Sequence, residues 1–514
     1  MNNGKKRLLA LVLAALCLLS ACGGMGGGEE GRRQVDNVKV SDAYFGLAYY
    51  RSGTLNPVTD KTAINRLLCE AMYEGLFEVS ANFAAENVLC AAYTGDGTSF
   101  TFTLRDDVTF WSGEKLTAGD VAASLQAARQ NEDSPYYNRL TEVSAIEVVS
   151  DEQVRITLSS PNINFPRLLD IPIYRQGSAS GGDFADGTGP FKPVKEDGQW
   201  LLTANEDWHG GFLGSIRRIT LVTLTRADAA EASFQTGDVS LIREPRIAPE
   251  ASAFGGSVDT VRTPSADLHY LGINHSHPIL SKAGVRQALS VAIGRQSLCD
   301  VQLQTFADPA VLPVYPQPAN DALGLEMTAS TDRAVRLLRQ VLEEDDGAQQ
   351  GEDGQQGEGA QDTAFSIRLL VNEENAFKTA VADQIAAAWK AIGVSVTVDK
   401  QPYSAFSAKL EAGDFDVYYG ETLLTPDFDL RPLLSPRGGL NYGGYDSEQT
   451  SSAIAAARRG EDVTALYQRL LDELPIIPIA FERGQLIIRK GLLDTFSPAP
   501  YNAFAGVEHW TSPQ

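Results

Sequence analysis

The chain has 514 residues, 43% of them hydrophobic, enough to bury more than one core, so two or three lobes are expected rather than a single small domain. Its formal charge of −23 excludes nucleic acid as a main ligand, because phosphate recognition needs a concentrated basic face.

The first element in chain order is RLLALVLAALCLLSACGG. Leu8 to Ala21 carry no charge and follow Lys5, Lys6 and Arg7, the order of a secretory signal; the run is short of the roughly 20 apolar residues of a permanent span. Small Ser20 and Ala21 directly precede Cys22, an ending that resembles the bacterial lipobox. Residues 1–22 are therefore expected to be a lipoprotein signal peptide, with Cys22 as the lipidation site and membrane tether. Residues 23–36, opening GGMGGGEEG, have no apolar periodicity and are expected to be a flexible tether. Gly26, Gly28 and Gly31 there match GxGxxG by accident, since no strand precedes them. Of the cysteines left behind the leader, Cys69 and Cys90 could pair in an exported protein, but their apolar surroundings favour buried thiols.

Phe100, Phe102 and Leu104 alternate in SFTFTLR, as do Val154, Ile156 and Leu158 in VRITLSS, which predicts strands. Between them LTAGDVAASLQAAR starts with Thr117 and Asp120 at capping-box spacing and continues at helical period, so this stretch reads as a separate α+β lobe. GTGPFKPVKEDGQWLLTAN predicts a turn and then a hairpin closed at Asp197 and Gly198. Further on, residues 343–363 are acidic with no aromatic or aliphatic residue larger than alanine, a composition expected to leave them as a disordered insertion. The segment that follows is the most regular in the chain. SIRLLV, then Phe377, Val381, Ile385, Ala388 and Ile392 at helical spacing up to Gly393, then VSVTV, YSAFSAKLEAG and FDVYYG together spell βαβαβ. Ligands of such sheets sit at the carboxyl ends of the strands, which makes the loop after FDVYYG a cleft candidate.

TLNPVTDKTAINRLLCEAMYEGLFEVS, FTLRDDVTFWSGEKLTAGDVAASL, GTGPF, YLGINHSHPILSKAGVRQALSVAIGRQSL, the βαβαβ run and LPIIPIAF, in this order, resemble the family 5 extracellular solute-binding proteins. These include dipeptide-, oligopeptide- and nickel-binding components of ABC importers. The resemblance implies an α/β type II periplasmic-binding fold: two α/β lobes joined by a hinge, with an additional inserted α+β lobe. Lobe I would combine residues 37–64, 172–272 and 478–514, the inserted lobe residues 65–171, and lobe II residues 273–477, with the hinge near Gly272 to Asn274 and Pro475 to Pro478. It also implies capture of short peptides between closing lobes and delivery to ABC permease subunits by a monomer. The location would be the outer face of the cytoplasmic membrane, periplasm or cell surface.

Peptide binders of this family hold the ligand's α-ammonium with an acidic residue in a WxxD stretch after the third strand. YYGETLLTPDFDL has no such motif, and Glu421, Asp427 and Asp429 are the possible acceptors, Glu421 and Asp427 being favoured. Tyr419 and Tyr442 are candidate aromatic walls or core; Asn56, Gly187, Thr188 and Gly189 could offer polar groups to a ligand or simply set turns. His275 and His277 are two apart, as a metal pair could be, but they fall at the expected hinge without supporting carboxylates, so no metal and no cofactor is expected. The chain has no HExxH, GxSxG or P-loop, so an enzyme is not expected. The alternatives are a binder of nickel, a metal chelate or another small non-peptide solute, and a peptide-sensing lipoprotein not coupled to transport.

Overall fold

The computed structural model describes residues 32–35 and 44–513, apart from 52–53, 181, 245–246, 248–252, 319–322, 324–327, 350–364 and 495. The leader, Cys22 and most of the tether lie outside the described residues. At the tether's end Arg32–Val35 pairs in parallel with Ala253–Gly256, so those four residues form a strand where a structureless tether was expected. Among the described residues no helix is long and apolar enough to cross a membrane.

The first lobe is built on a four-stranded sheet in the order Gly46–Tyr50, Arg218–Leu224, Gln199–Ala204, Phe191–Glu196. Its last two strands are the expected hairpin, turned by Asp197 at φ 48° and Gly198 at φ 83°. The inserted lobe is an antiparallel sheet of Cys90–Gly95, Ser99–Leu104, Gln153–Leu158 and Val143–Ser150 under the helix Ala118–Gln130. Phe100, Phe102 and Leu104 are buried, as the alternation requires, and the capping box forms, with the Thr117 amide donating to Asp120 Oδ2 at 3.0 Å. One apolar core runs through both lobes. From the inserted lobe the hairpin Phe77–Val79/Ala85–Asn87 projects Phe83 away from that core and into the second lobe.

The second lobe is a six-stranded sheet ordered Ala307–Pro309, Ile476–Glu482, Asp267–Ile273, Val417–Leu423, Phe365–Asn372, Val394–Gln401. The βαβαβ run forms throughout, with the helices Ala376–Ala391 and Tyr403–Ala412 stopped at Gly393 and Gly413 in left-handed backbone. Leu369 and Val371 face one core and Leu370 the other; a strand covered on both faces reads as continuous apolar sequence instead of alternating. Trp389 is fully buried, and its Nε1 donates to the Leu289 carbonyl at 2.9 Å. Truncating so large a core side chain costs about 3–5 kcal/mol.

Two expectations shift. The helix before the acidic run continues as Thr331–Gln349, well into the segment 343–363 expected to be disordered; residues 350–364 lie outside the described residues. The hinge also moves. Gly272 pairs with Ile476 and Tyr270 with Pro478 inside the second-lobe sheet, so Asp267–Ile273 and Ile476–Glu482 belong wholly to that lobe. In the neighbouring first-lobe sheet Val258–Thr263 pairs with Gly484–Arg489, ending at Thr263 opposite Gly484. The chain therefore crosses between lobes at 264–266 and at Arg483. The apolar, strand-like stretches continue to both sides of the crossings, and the joints carried over with the family resemblance fall inside the second-lobe strands.

Candidate functional site

Strand direction decides what meets at the second lobe's edge. Val417–Leu423 runs antiparallel to Asp267–Ile273, which runs antiparallel to Ile476–Glu482. The start of the middle strand therefore lies beside the ends of its two neighbours, in the region the topology marks for a ligand. Asp267 stands opposite Leu423, and His269 opposite Glu421 on one side and Ala480 on the other. Carboxylate oxygens of Asp267, Glu421 and Glu482 lie within 4.8 Å of one another.

His269 is fully buried among them. Its Nδ1 is 3.1 Å from the Tyr419 hydroxyl, while Nε2 lies 3.5 Å from Glu482 and 3.9 Å from Glu421 without a hydrogen-bond partner among the described residues. Lys378, in the first turn of the helix Ala376–Ala391, places its ammonium directly on Glu421. Burial pushes the Asp267 carboxyl up to about 7, reinforced by Glu421 and Glu482 and opposed by His269 and Lys378. Burial acts to raise Glu421 too, but His269 and Lys378 overcome it and hold this carboxyl below the ordinary range. One Asp267 oxygen, Oδ1, is buried without a hydrogen bond among the described residues. Three carboxylates against one lysine leave the cluster short of positive charge, so it is chemically suited to a cationic group on a ligand or to a metal ion.

Asp267 and Glu482 border a cavity of about 330 Å³ whose other wall comes from the first lobe, through Leu47, Ala48, Ile64, Leu67 and Leu68.

Among the expected site residues, Glu421 and Tyr419 come together here. Tyr442 is partly exposed and packs edge-on against Tyr418. Asp427 and Asp429 lie elsewhere. Asn162 of the inserted lobe donates to Asp427 at 2.8 Å, and Arg431 grips Asp429 through Nε and a terminal nitrogen at 2.8 and 2.6 Å. Burial raises the Asp427 carboxyl; for Asp429 the opposing pull of Arg431 wins and lowers it. Asn56 closes its own turn, accepting from the Val58 amide at 3.0 Å. Thr188 donates to Glu74 at 2.8 Å, and the flanking glycines are set by packing: a Cβ on Gly187 would lie 2.7 Å from Trp111 and Tyr73, and one on Gly189 2.5 Å from the Met72 carbonyl. His275 Nε2 donates to the Pro475 carbonyl at 2.8 Å, and burial lowers its pKa to about 4; His277 Nδ1 accepts from the Ile279 and Leu280 amides. Cys69, Cys90 and Cys299 are buried free thiols.

Asp267, His269, Glu482 and Lys378 escaped the reading of the sequence. A signal was present: in DLHYLGI the charged and imidazole side chains share one face of an otherwise apolar strand, and IIPIAFE ends its apolar run on a carboxylate.

The family model described as bacterial extracellular solute-binding proteins, family 5 Middle, matches residues 85–440. The glutathione-binding protein GsiB of Salmonella typhimurium is 25% identical over 464 residues, covering 84% of this chain and 87% of its own. The oligopeptide-binding protein OppA of Bacillus subtilis is 22% identical over 555 residues, covering 96% and 97%. In fold, the chain is similar to NikZ of Campylobacter jejuni, solved with Ni(L-His), with a TM-score of 0.59 at 20% identity over 92% of this chain and all of that one. The family model spans most of the chain, and the fold has the two lobes and inserted lobe that the resemblance implied: the protein belongs to the family 5 bacterial extracellular solute-binding proteins.

Proposed function

We propose that the protein is a lipid-anchored capture subunit that binds short peptides between its two lobes and passes them to an ABC permease, without catalysing a reaction. The observation that carries the peptide reading is the cation-deficient cluster of Asp267, Glu421 and Glu482 at the edge of the interlobe cavity. An α-ammonium there gains charge-assisted hydrogen bonds in a site that lobe closure removes from water, where such bonds are strongest. The names of the relatives agree with this chemistry, since glutathione and oligopeptides both present a free ammonium. Glu421 is the acceptor of choice among the residues expected from sequence; Asp427 and Asp429 are engaged by Asn162 and Arg431. The histidines that could have favoured a nickel ligand, His275 and His277, are engaged by backbone groups.

Native mass spectrometry of the protein purified without denaturation tests the reading. The expected result is a distribution of added masses that fragments into short peptides and disappears in the double variant Glu421→Gln, Glu482→Gln. A single non-peptide mass, or stoichiometric nickel by elemental analysis, overturns it. Anchoring is tested separately: Cys22→Ala should release the chain from membranes into the soluble fraction.

A further inference from the structure

The cavity between the lobes has two unlike walls. On the first-lobe side Leu47, Ala48, Ile64, Leu67 and Leu68 offer only hydrocarbon. On the second-lobe side stand Asp267 and Glu482, with Glu421 within 4.8 Å of both. The cations bordering the cavity, Arg243 and Arg483, are already matched: Arg243 reaches Glu70 with both terminal nitrogens, and Arg483 Nε donates to Asp308 at 3.0 Å. Among the described residues, the unmatched charge facing the cavity is therefore negative. Asp267 Oδ1 and the Nε2 of the wholly buried His269 also lack hydrogen-bond partners there among the described residues. At the rim Leu423, 64% exposed, stands opposite Asp267 in the strand register, an apolar side chain presented to the cavity with nothing yet covering it. The volume, about 330 Å³, is at the small end of the range for small-molecule sites, about 300–1,000 Å³.

Resting on the peptide reading above, we propose that this protein selects peptides by their first residue, taking an aliphatic side chain against the wall of Leu47, Ile64, Leu67 and Leu423 while the adjacent α-ammonium meets the carboxylates of Asp267, Glu421 and Glu482. The two walls fit the two substituents of one carbon atom. A polar or charged first side chain laid against Leu47, Ile64 and Leu67 loses its water without gaining a partner there, while the polar first-lobe residues of the lining, Arg243, Glu244 and Gln485, are held by Glu70 or buried. Burying a branched aliphatic side chain in place of a hydrogen is worth about 10- to 100-fold in affinity.

Calorimetric titration of the full chain, freed of carried-over ligand, with Leu-Gly-Gly, Gly-Gly-Gly, Ser-Gly-Gly, Asp-Gly-Gly and N-acetyl-Leu-Gly-Gly tests this. Leu-Gly-Gly is expected to bind about 10- to 100-fold more tightly than Gly-Gly-Gly, with the serine and aspartate peptides no tighter than the glycine one. Acetylation of the leucine peptide is expected to cost at least about 10-fold, the value of a hydrogen bond to a charged group. Leu423→Ser, a change at an exposed position, should shrink the ratio of Leu-Gly-Gly to Gly-Gly-Gly affinity by several-fold, and an unchanged ratio removes Leu423 from the wall. If all four free tripeptides bind within about threefold of one another, the selectivity falls and the peptide reading stands. If the acetylated peptide equals its parent, the ammonium assignment falls. If no tripeptide binds but Mn²⁺ or Ni²⁺ does, the cluster is a metal site and both readings fall.

Discussion

Where the inserted lobe touches the second lobe, charged groups reach counterparts across a closed contact; where the first lobe faces the second, charge and hydrocarbon stand across an open space. On the first seam Glu142 is held by Arg431 and Arg458, Asn162 donates to Asp427, and the Ile163 amide donates to the Arg458 carbonyl at 2.8 Å. Phe83 closes that seam, fully buried with its ring 4.9 Å from Phe428 and 5.7 Å from Tyr315. The second seam holds the cavity, the unpaired Asp267 oxygen and the exposed Leu423. A matched seam is finished and serves the fold. An unmatched one keeps free energy in reserve for something that arrives later. Of the acidic residues singled out in the sequence, Glu421 stands at the second seam, while Asp427 and Asp429 sit at the first.

The sharpest way to break this comparison is Phe83→Ala. Removing a buried aromatic ring costs about 3–5 kcal/mol, read as a fall in the denaturant midpoint. Phe83→Gly should lose less, because φ 56° is a left-handed backbone that strains phenylalanine by about 1 kcal/mol. An unchanged midpoint in both would mean that the first seam contributes nothing.

Next comes Glu142→Gln, which leaves Arg431 and Arg458 competing for a neutral partner. With the site partly open to solvent, about 1–2 kcal/mol is expected, smaller at high salt. Peptide affinity measured at saturating stability should be untouched; a large affinity loss would merge the two seams.

Asp267→Asn works in the other direction. The folded pKa is near 7, above the unfolded value of about 3.9, so between those values the native state holds a proton that the unfolded chain has released. Stability therefore falls as pH rises from about 4 to about 7, under the combined field of Glu421, Glu482, His269 and Lys378. The asparagine variant should lose this slope and, at pH 8, exceed the parent by about 1 kcal/mol. Peptide binding should show the opposite trend, strengthening from pH 6 to pH 8 as Asp267 ionises. Identical pH profiles for parent and variant would remove Asp267 from the site.

The smallest effect belongs to Tyr442→Phe. Its hydroxyl serves neither seam, and both unfolding midpoint and peptide affinity should stay within about 0.5 kcal/mol of the parent.

The fold was open to reading because its signals are local. Helical spacing up to Gly393, alternation in SFTFTLR and the Thr117–Asp120 cap each act within a few residues, and each formed as expected. The site resisted for the opposite reason. Asp267, Glu421 and Glu482 become neighbours only through a sheet order that places the late strand Ile476–Glu482 beside Asp267–Ile273, and no short-range pattern announces that pairing. Glu421 was reachable because it follows a recognisable third strand; its companions were not. The acidic run was misjudged at its start because composition says little about a helix already under way, and Thr331–Gln349 simply continued into it.

Asp267 begins one of the two strands beside the interlobe crossings and Glu482 ends the other. The carboxylate cluster thus sits beside the crossings. Displacements at a pivot are magnified with distance along the arm, so a fraction of an ångström of contraction as these carboxylates close on a cation becomes a movement of several times that at the lobe tips. The protein would then announce its cargo by a change of outline at surfaces the cargo never touches, and a vacant molecule and a filled one would differ most where a transport partner can feel for them.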